Sequence, residues 1–152
     1  MAVRSSDKLS ASLEDYLEAI YNLSGRQNVA RSKDIAQLLD VSRASVTGAL
    51  KALSDKQMIH YQPYGYVVLT EKGRLAARRI AGRHAVLVQF FERVLGADSA
   101  TAQEAACRTE HTLGTDIADR LTAFIEFVTS RQDNGQDIAQ QFQHHWDASN
   151  DS

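Results

Sequence analysis

The 152-residue sequence predicts a mainly α-helical protein in which a helix-turn-helix with a β-hairpin wing precedes a second helical region. Three observations carry this expectation. Apolar residues recur at helical spacing through most of the chain, two short periodic segments are joined by only three residues, and one β-rich stretch surrounds a turn motif.

Leu13, Leu17, Ile20, Tyr21 and Leu23 share one helical face, Ser10 or Ser12 can cap it, and Gly25 ends a first helix near Ser24. Ser32 to Leu39 reads as a short amphipathic helix capped by Ser32. After Asp40-Val41-Ser42, Arg43 to Leu53 forms the next, with Val46, Leu50 and Leu53 inward. Two helices so joined make a helix-turn-helix, with Ala36 as the small residue of close approach and Val41 as the apolar plug of the turn.

Past Lys56, Met58-Ile59-His60-Tyr61 and Tyr66-Val67-Val68-Leu69-Thr70 flank Gln62-Pro63-Tyr64-Gly65, whose second-place proline and fourth-place glycine suit a type I turn. Thr70 then caps a long helix from about Glu71 to Val94 that includes Arg74, Arg78, Arg79 and Arg83. Gly96-Ala97-Asp98-Ser99 breaks the chain, and helices follow over about Ala100–Gly114 and Thr115–Ser130. The stripe Ile117, Leu121, Phe124, Ile125 and Val128 exceeds what two helices need to cover each other, which predicts a homodimer seam. Ile138, Phe142 and Trp146 suggest a weak last helix in a polar tail. The domains expected are a winged helix-turn-helix over 1–78, a helical dimerisation and ligand-binding domain over 79–130, and a tail over 131–152.

The net charge of -2 conceals a division. Residues 1–83 hold 13 Lys and Arg against 8 Asp and Glu, and the remainder 4 against 11. The first part suits a polyanion and the second would repel one. Together with the order helix-turn-helix, wing, long helix, this predicts binding to double-stranded DNA. With the start of the Arg43–Leu53 helix in the major groove, Ser42, Arg43, Ser45, Thr47 and Lys51 would touch base edges or phosphates, Arg31 and Lys33 would meet phosphates, and Tyr64 would sit at the wing tip. No stretch approaches the ~18 apolar residues of a membrane span, so no membrane partner and a cytoplasmic location are expected. The single cysteine, Cys107, cannot form an internal disulfide.

Helical periodicity places Cys107, Glu110 and His111 on one face and Asp15 and Glu18 on another. Thiolate, carboxylate and imidazole bind transition metals. Each residue taken singly also fits a solvated helix face, and His84 alone is uninformative.

The segments Leu13-Glu14-Asp15-Tyr16-Leu17-Glu18-Ala19-Ile20-Tyr21, Asp34-Ile35-Ala36, Val41-Ser42-Arg43-Ala44-Ser45-Val46-Thr47, Leu69-Thr70-Glu71-Lys72-Gly73, Arg83-His84 and Glu110-His111 combine into one pattern. The sequence thereby resembles the diphtheria toxin repressor and manganese transport regulator family, from about Leu13 to Val128. The resemblance implies a winged helix, a helical dimerisation domain, and metal ligands at Asp15, Glu18, His84, Cys107, Glu110 and His111. It further implies repression of metal-uptake genes, without the C-terminal β-barrel domain of the toxin-repressor branch. Asp15 is similar to the manganese branch, where iron-type repressors carry methionine; Cys107 is similar to the iron branch, where manganese regulators carry glutamate.

This hybrid set points to Mn²⁺ or Fe²⁺, with Co²⁺ or Zn²⁺ able to substitute. Asp15, Cys107, Glu110 and His111 would form the primary cluster, and Glu18 and His84 an adjacent one. Two rivals are a winged-helix regulator sensing an organic ligand or an oxidant at Cys107, and an enzyme using Cys107 as nucleophile and His111 as base. The enzyme reading has no oxyanion site, Gly-rich loop or third orienting residue behind it, so the chain is read as a non-enzyme.

Overall fold

Helix α1 (Ala11–Ser24) starts where the Ser10 hydroxyl accepts the Leu13 amide at 3.2 Å, which selects Ser10 over Ser12 as the cap in this computed structural model. The structure describes residues 9–25, 29–62, 65–133 and 136–150. It divides into two units, Met1–Ala81 and Gly82–Ser152.

In the first unit α1 buries Tyr16, Leu17, Ala19 and Ile20. Strand β1 (Ala30–Arg31) leads directly into α2 (Ser32–Leu39), so the residue at the helix entrance is Arg31, not Ser32 as its sequence suggested. Pairing with Tyr66 holds Arg31 extended, and the helix can only begin one residue later, without a side-chain cap. Helix α2 ends on Asp40 in the left-handed region at φ 52°, a conformation that Asp tolerates. Val41 does not plug the turn. Its side chain is 36% exposed, and it is the Val41 amide, bonded to the Ala36 carbonyl at 3.1 Å, that closes the turn.

Helix α3 (Arg43–Asp55) runs two residues past the expected end and buries Val46, Ala49, Leu50 and Leu53. The hairpin forms from β2 (Ile59–Tyr61) and β3 (Tyr66–Leu69), and β1 adds to it in the order β1-β3-β2, all antiparallel. The Gly65 amide reaches the Gln62 carbonyl at 2.9 Å, as a four-residue turn requires; its central residues, Pro63 and Tyr64, lie outside the described residues. Thr70 caps the following helix as expected, accepting from the Gly73 amide at 3.0 Å.

That helix, α4 (Glu71–Gln89), passes through the boundary between the units and gives way to a π-helical turn over Phe90–Val94. The uniform helix expected to Val94 is therefore widened at its end. Within this turn Val94 is buried, and Phe90 packs 6.4 Å from the Phe124 ring.

The second unit continues with α5 (Ser99–Thr109), capped by Asp98. Hydrogen bonds from the Thr101 hydroxyl, at 2.6 Å, and the Thr101 amide, at 3.0 Å, hold the Asp98 carboxyl below the usual carboxylate range. A 3₁₀ turn (Glu110–Thr112) follows, then α6 (Thr115–Ser130), a short hairpin of β4 (Gln132–Asp133) and β5 (Gln136–Asp137), and α7 (Ile138–Asn150). Val94, Ile125, Val128 and Ala139 form the buried cluster of this unit. The apolar stripe of α6 consequently splits, Ile125 and Val128 facing inward while Ile117, Phe124 and Phe127 stay about half exposed. On α7 the small Ala139 is buried, and Ile138, Phe142 and Trp146 are exposed. Among the described residues no helix is long and apolar enough to cross a membrane.

Candidate metal centre and nucleic-acid interface

In the second unit, ligand-type side chains converge from α4, α5 and the 3₁₀ turn. Local hydrogen bonding explains why the C-terminal end of α5 tightens: the Thr109 hydroxyl donates to the Ala105 carbonyl at 2.8 Å, and the Thr112 hydroxyl to the Thr109 carbonyl at 2.8 Å. Glu110 still donates its amide to the Ala106 carbonyl in the α-helical pattern, and Cys107 and Glu110 both reach His84 Nδ1, as residues of one helical face can. Cys107 is exposed, Glu110 is 1% exposed and His111 is half-buried. On α4, Arg83 donates to the Leu113 carbonyl at 3.1 Å and fastens the far side of the 3₁₀ turn beside His84.

Glu110 stands at the centre of this arrangement. Its Oε2 is 2.6 Å from His84 Nδ1, and its Oε1 is 3.5 Å from His111 Nε2. Cys107 Sγ lies 4.0 Å from the same His84 Nδ1. A carboxylate is rarely buried without strong partners, and here each oxygen faces an imidazole. Two imidazoles, a thiol and a carboxylate are a donor set suited to a divalent transition ion. Asp15, exposed, and Glu18, half-buried, stand one turn apart on α1 in the other unit.

The sequence reading overlooked Gln103, on α5 one turn before Cys107, whose side chain meets His84 Nε2 at 2.8 Å. Its i, i+4, i+7 relation to Cys107 and Glu110 was readable. An amide is simply not counted among metal-binding types.

In the first unit Ser42, Arg43, Ser45, Thr47 and Lys51 are all exposed, on or at the start of α3, while the opposite face is core. Ser42 also has a structural task, since its hydroxyl accepts the Ser45 amide at 3.1 Å and lies 2.9 Å from the Ser45 hydroxyl. Thr47 turns its hydroxyl back to the Arg43 carbonyl at 3.0 Å. Lys33 is exposed on α2. Arg31 bonds the Tyr66 hydroxyl at 3.1 Å and lies 5.2 Å from the centre of that ring. Tyr66, 53% exposed, is therefore a surface aromatic tied to a predicted phosphate contact, and Tyr64 lies outside the described residues. Residues 31–33 with Gly65 and Tyr66 line one shallow basic depression.

Residues 8–67 match the iron-dependent repressor N-terminal DNA-binding domain, and residues 70–140 match the metal-binding and dimerisation domain of the same repressors. An uncharacterised HTH-type transcriptional regulator of Methanocaldococcus jannaschii is 38% identical over 119 residues, covering 78% of this chain and 95% of its own. Among solved structures, the manganese regulator SloR is 27% identical with a TM-score of 0.67, over 82% of this chain and 61% of that one. IdeR of T. acidophilum is 27% identical with a TM-score of 0.66, over 82% and 58%. A manganese-dependent transcriptional repressor in complex with manganese gives 26% and 0.69, over 83% and 57%. The chain thus spans less than two thirds of the length of these three solved proteins. With both of its units matched in order, and with the buried Glu110 between two histidines in the second, this chain belongs to the iron-dependent repressor family of metal-dependent transcriptional regulators.

Proposed function

We propose that a divalent cation, Mn²⁺ or Fe²⁺ in the cell with Co²⁺ or Zn²⁺ able to substitute, binds at His84, Cys107, Glu110 and His111, with Asp15 and Glu18 contributed by α1. The ion makes a homodimer competent to bind a double-stranded DNA operator and repress metal-uptake genes. The observation that carries this reading is the Glu110 carboxylate, buried with one oxygen on each of two imidazoles and a thiol 4.0 Å from the first. The inclusion of Asp15 and Glu18 rests on the sequence pattern. Without a cation, carboxylates and a thiolate drawn to one place repel one another; a divalent charge reverses that balance. A fixed dimer geometry then matches half-sites about 34 Å apart better than a flexible one does, by the ~1–3 kcal/mol usual for coupled sites.

The test has two arms. Equilibrium dialysis of the full chain should find stoichiometric Mn²⁺ or Fe²⁺ in the wild type and a much weakened uptake in His111→Ala. Selection from a random duplex pool should enrich a two-fold symmetric sequence only when metal is present. Stoichiometric metal without any effect on selection, or selection independent of metal, defeats the proposal.

The DNA-facing half makes its own prediction. Lys51 is exposed on α3, so Lys51→Ala should leave folding intact and weaken binding to all duplexes alike. The slope of log affinity against log salt should fall by about 1, the loss of one phosphate contact. An unchanged slope removes Lys51 from the interface.

A further inference from the structure

The two nitrogens of His84 face partners of different character. Nδ1 meets the Glu110 carboxylate at 2.6 Å, and Nε2 meets the Gln103 side-chain oxygen Oε1 at 2.8 Å, an acceptor that suits a proton on Nε2. A neutral imidazole has one N–H and one lone pair. An ionised carboxylate only accepts, so beside Glu110 the neutral ring keeps its proton on Nδ1, and Nε2 then needs a donor. If a cation takes the Nδ1 lone pair, the proton must be on Nε2, which now needs an acceptor.

A primary amide can serve in both cases. Its oxygen accepts, its nitrogen donates, and a half-turn about the last side-chain torsion exchanges them at nearly the same position. We propose that Gln103 is a positioning residue that holds the His84 ring in both tautomers, so that Nδ1 can exchange its proton for a metal ion without loss of the outer hydrogen bond. In that exchange the ring gives the Nδ1 proton to water, takes one from water on Nε2, and keeps its net charge. The inference rests on the reading of His84 as a ligand given above.

The placement supports this role. Gln103 lies on α5 and His84 on α4, so their hydrogen bond ties the helix that carries Cys107 to the one that carries His84. Gln103 is exposed, and water can replace it as a hydrogen-bond partner. Its contribution is therefore the orientation of the ring rather than burial of the bond.

The experiment uses full-length protein with ¹⁵N-labelled histidine at pH 8, with Zn²⁺ as a diamagnetic probe. Long-range ¹H–¹⁵N correlations report which nitrogen of His84 bears the proton, and competition with a chelating dye gives the affinity. In the wild type the proton should sit on Nδ1 without metal and on Nε2 with it. Gln103→Met, similar in length but without hydrogen-bonding groups of this kind, should keep the proton on Nδ1 without metal, where Glu110 fixes it, and bind Zn²⁺ roughly tenfold more weakly. Gln103→Glu, which only accepts when ionised, should keep Nε2 protonated with and without Zn²⁺. Both substitutions are at an exposed position, so folding should be preserved. Wild-type tautomers and affinities within about twofold in both variants overturn the role of Gln103. A wild-type His84 whose Nδ1 resonance is unmoved by saturating Zn²⁺ overturns the ligand assignment itself, and is distinguishable because it needs no variant.

Discussion

Replacing Glu110 by glutamine is expected to weaken Mn²⁺ binding by more than about 100-fold while leaving the metal-free protein folded, because a ligand is lost and not merely a supporting group, whose loss costs about 10- to 100-fold. The substitution keeps the volume of a side chain that is 1% exposed, so it opens no cavity. An amide oxygen can still accept from His84, so the local hydrogen bonding has a substitute. What disappears is the negative charge between two imidazoles, which a divalent ion requires and the apolar surroundings do not. Thermal unfolding with and without Mn²⁺ reads the difference directly. A wild type held at 100 times its dissociation constant gains about 2.7 kcal/mol from binding, whereas the variant should gain almost nothing at the same concentration. Equal metal-dependent stabilisation in the two proteins would take Glu110 out of the centre.

The second large effect concerns folding. A Cβ added at Gly73 would stand 1.9 Å from the Met58 carbonyl oxygen and 2.8 Å from its carbon, both backbone atoms that no rotamer change can move. That carbonyl already accepts from the Thr70 amide at 3.0 Å and from its hydroxyl at 3.0 Å, so the start of α4 is fastened against the chain entering β2. Gly73→Ala should therefore lower stability by about 3 kcal/mol or more, the upper end of what overpacking costs, because backbone and not side chain must yield. Denaturant unfolding of the full chain measures it. A variant within 0.5 kcal/mol or so of wild type, the range of ordinary surface changes, contradicts the close approach.

Element positions were largely legible from periodicity and caps. Helix α6 has the bounds expected, and Ser10 and Thr70 do cap their helices. The departures have specific causes. Strand β1 is two residues long and exists only through its pairing with β3, which also displaced the entrance of α2 from Ser32 to Arg31. Such a partner carries no local signal. The π turn at Phe90–Val94 depends on packing against α6 and α7, elements that come later in the chain. For the candidate centre, the ligand types of the second unit were readable; Gln103 stood at a readable spacing but carries an amide, which is not a metal-binding type, and the bond from Arg83 to Leu113 left no local signal.

Local periodicity and functional groups were enough to establish which residues can lie on a common helical surface, where most helices start and stop, and which side chains have the chemistry to hold a cation. Long-range packing was needed to bury Glu110 between His84 and His111, to bring Cys107 near His84 and to leave Val41 facing solvent. Those facts depend on where α4 places His84 relative to a 3₁₀ turn 26 residues later, and on which flank of each helix its neighbours cover. Local patterning restricts such pairings, and packing selects among them.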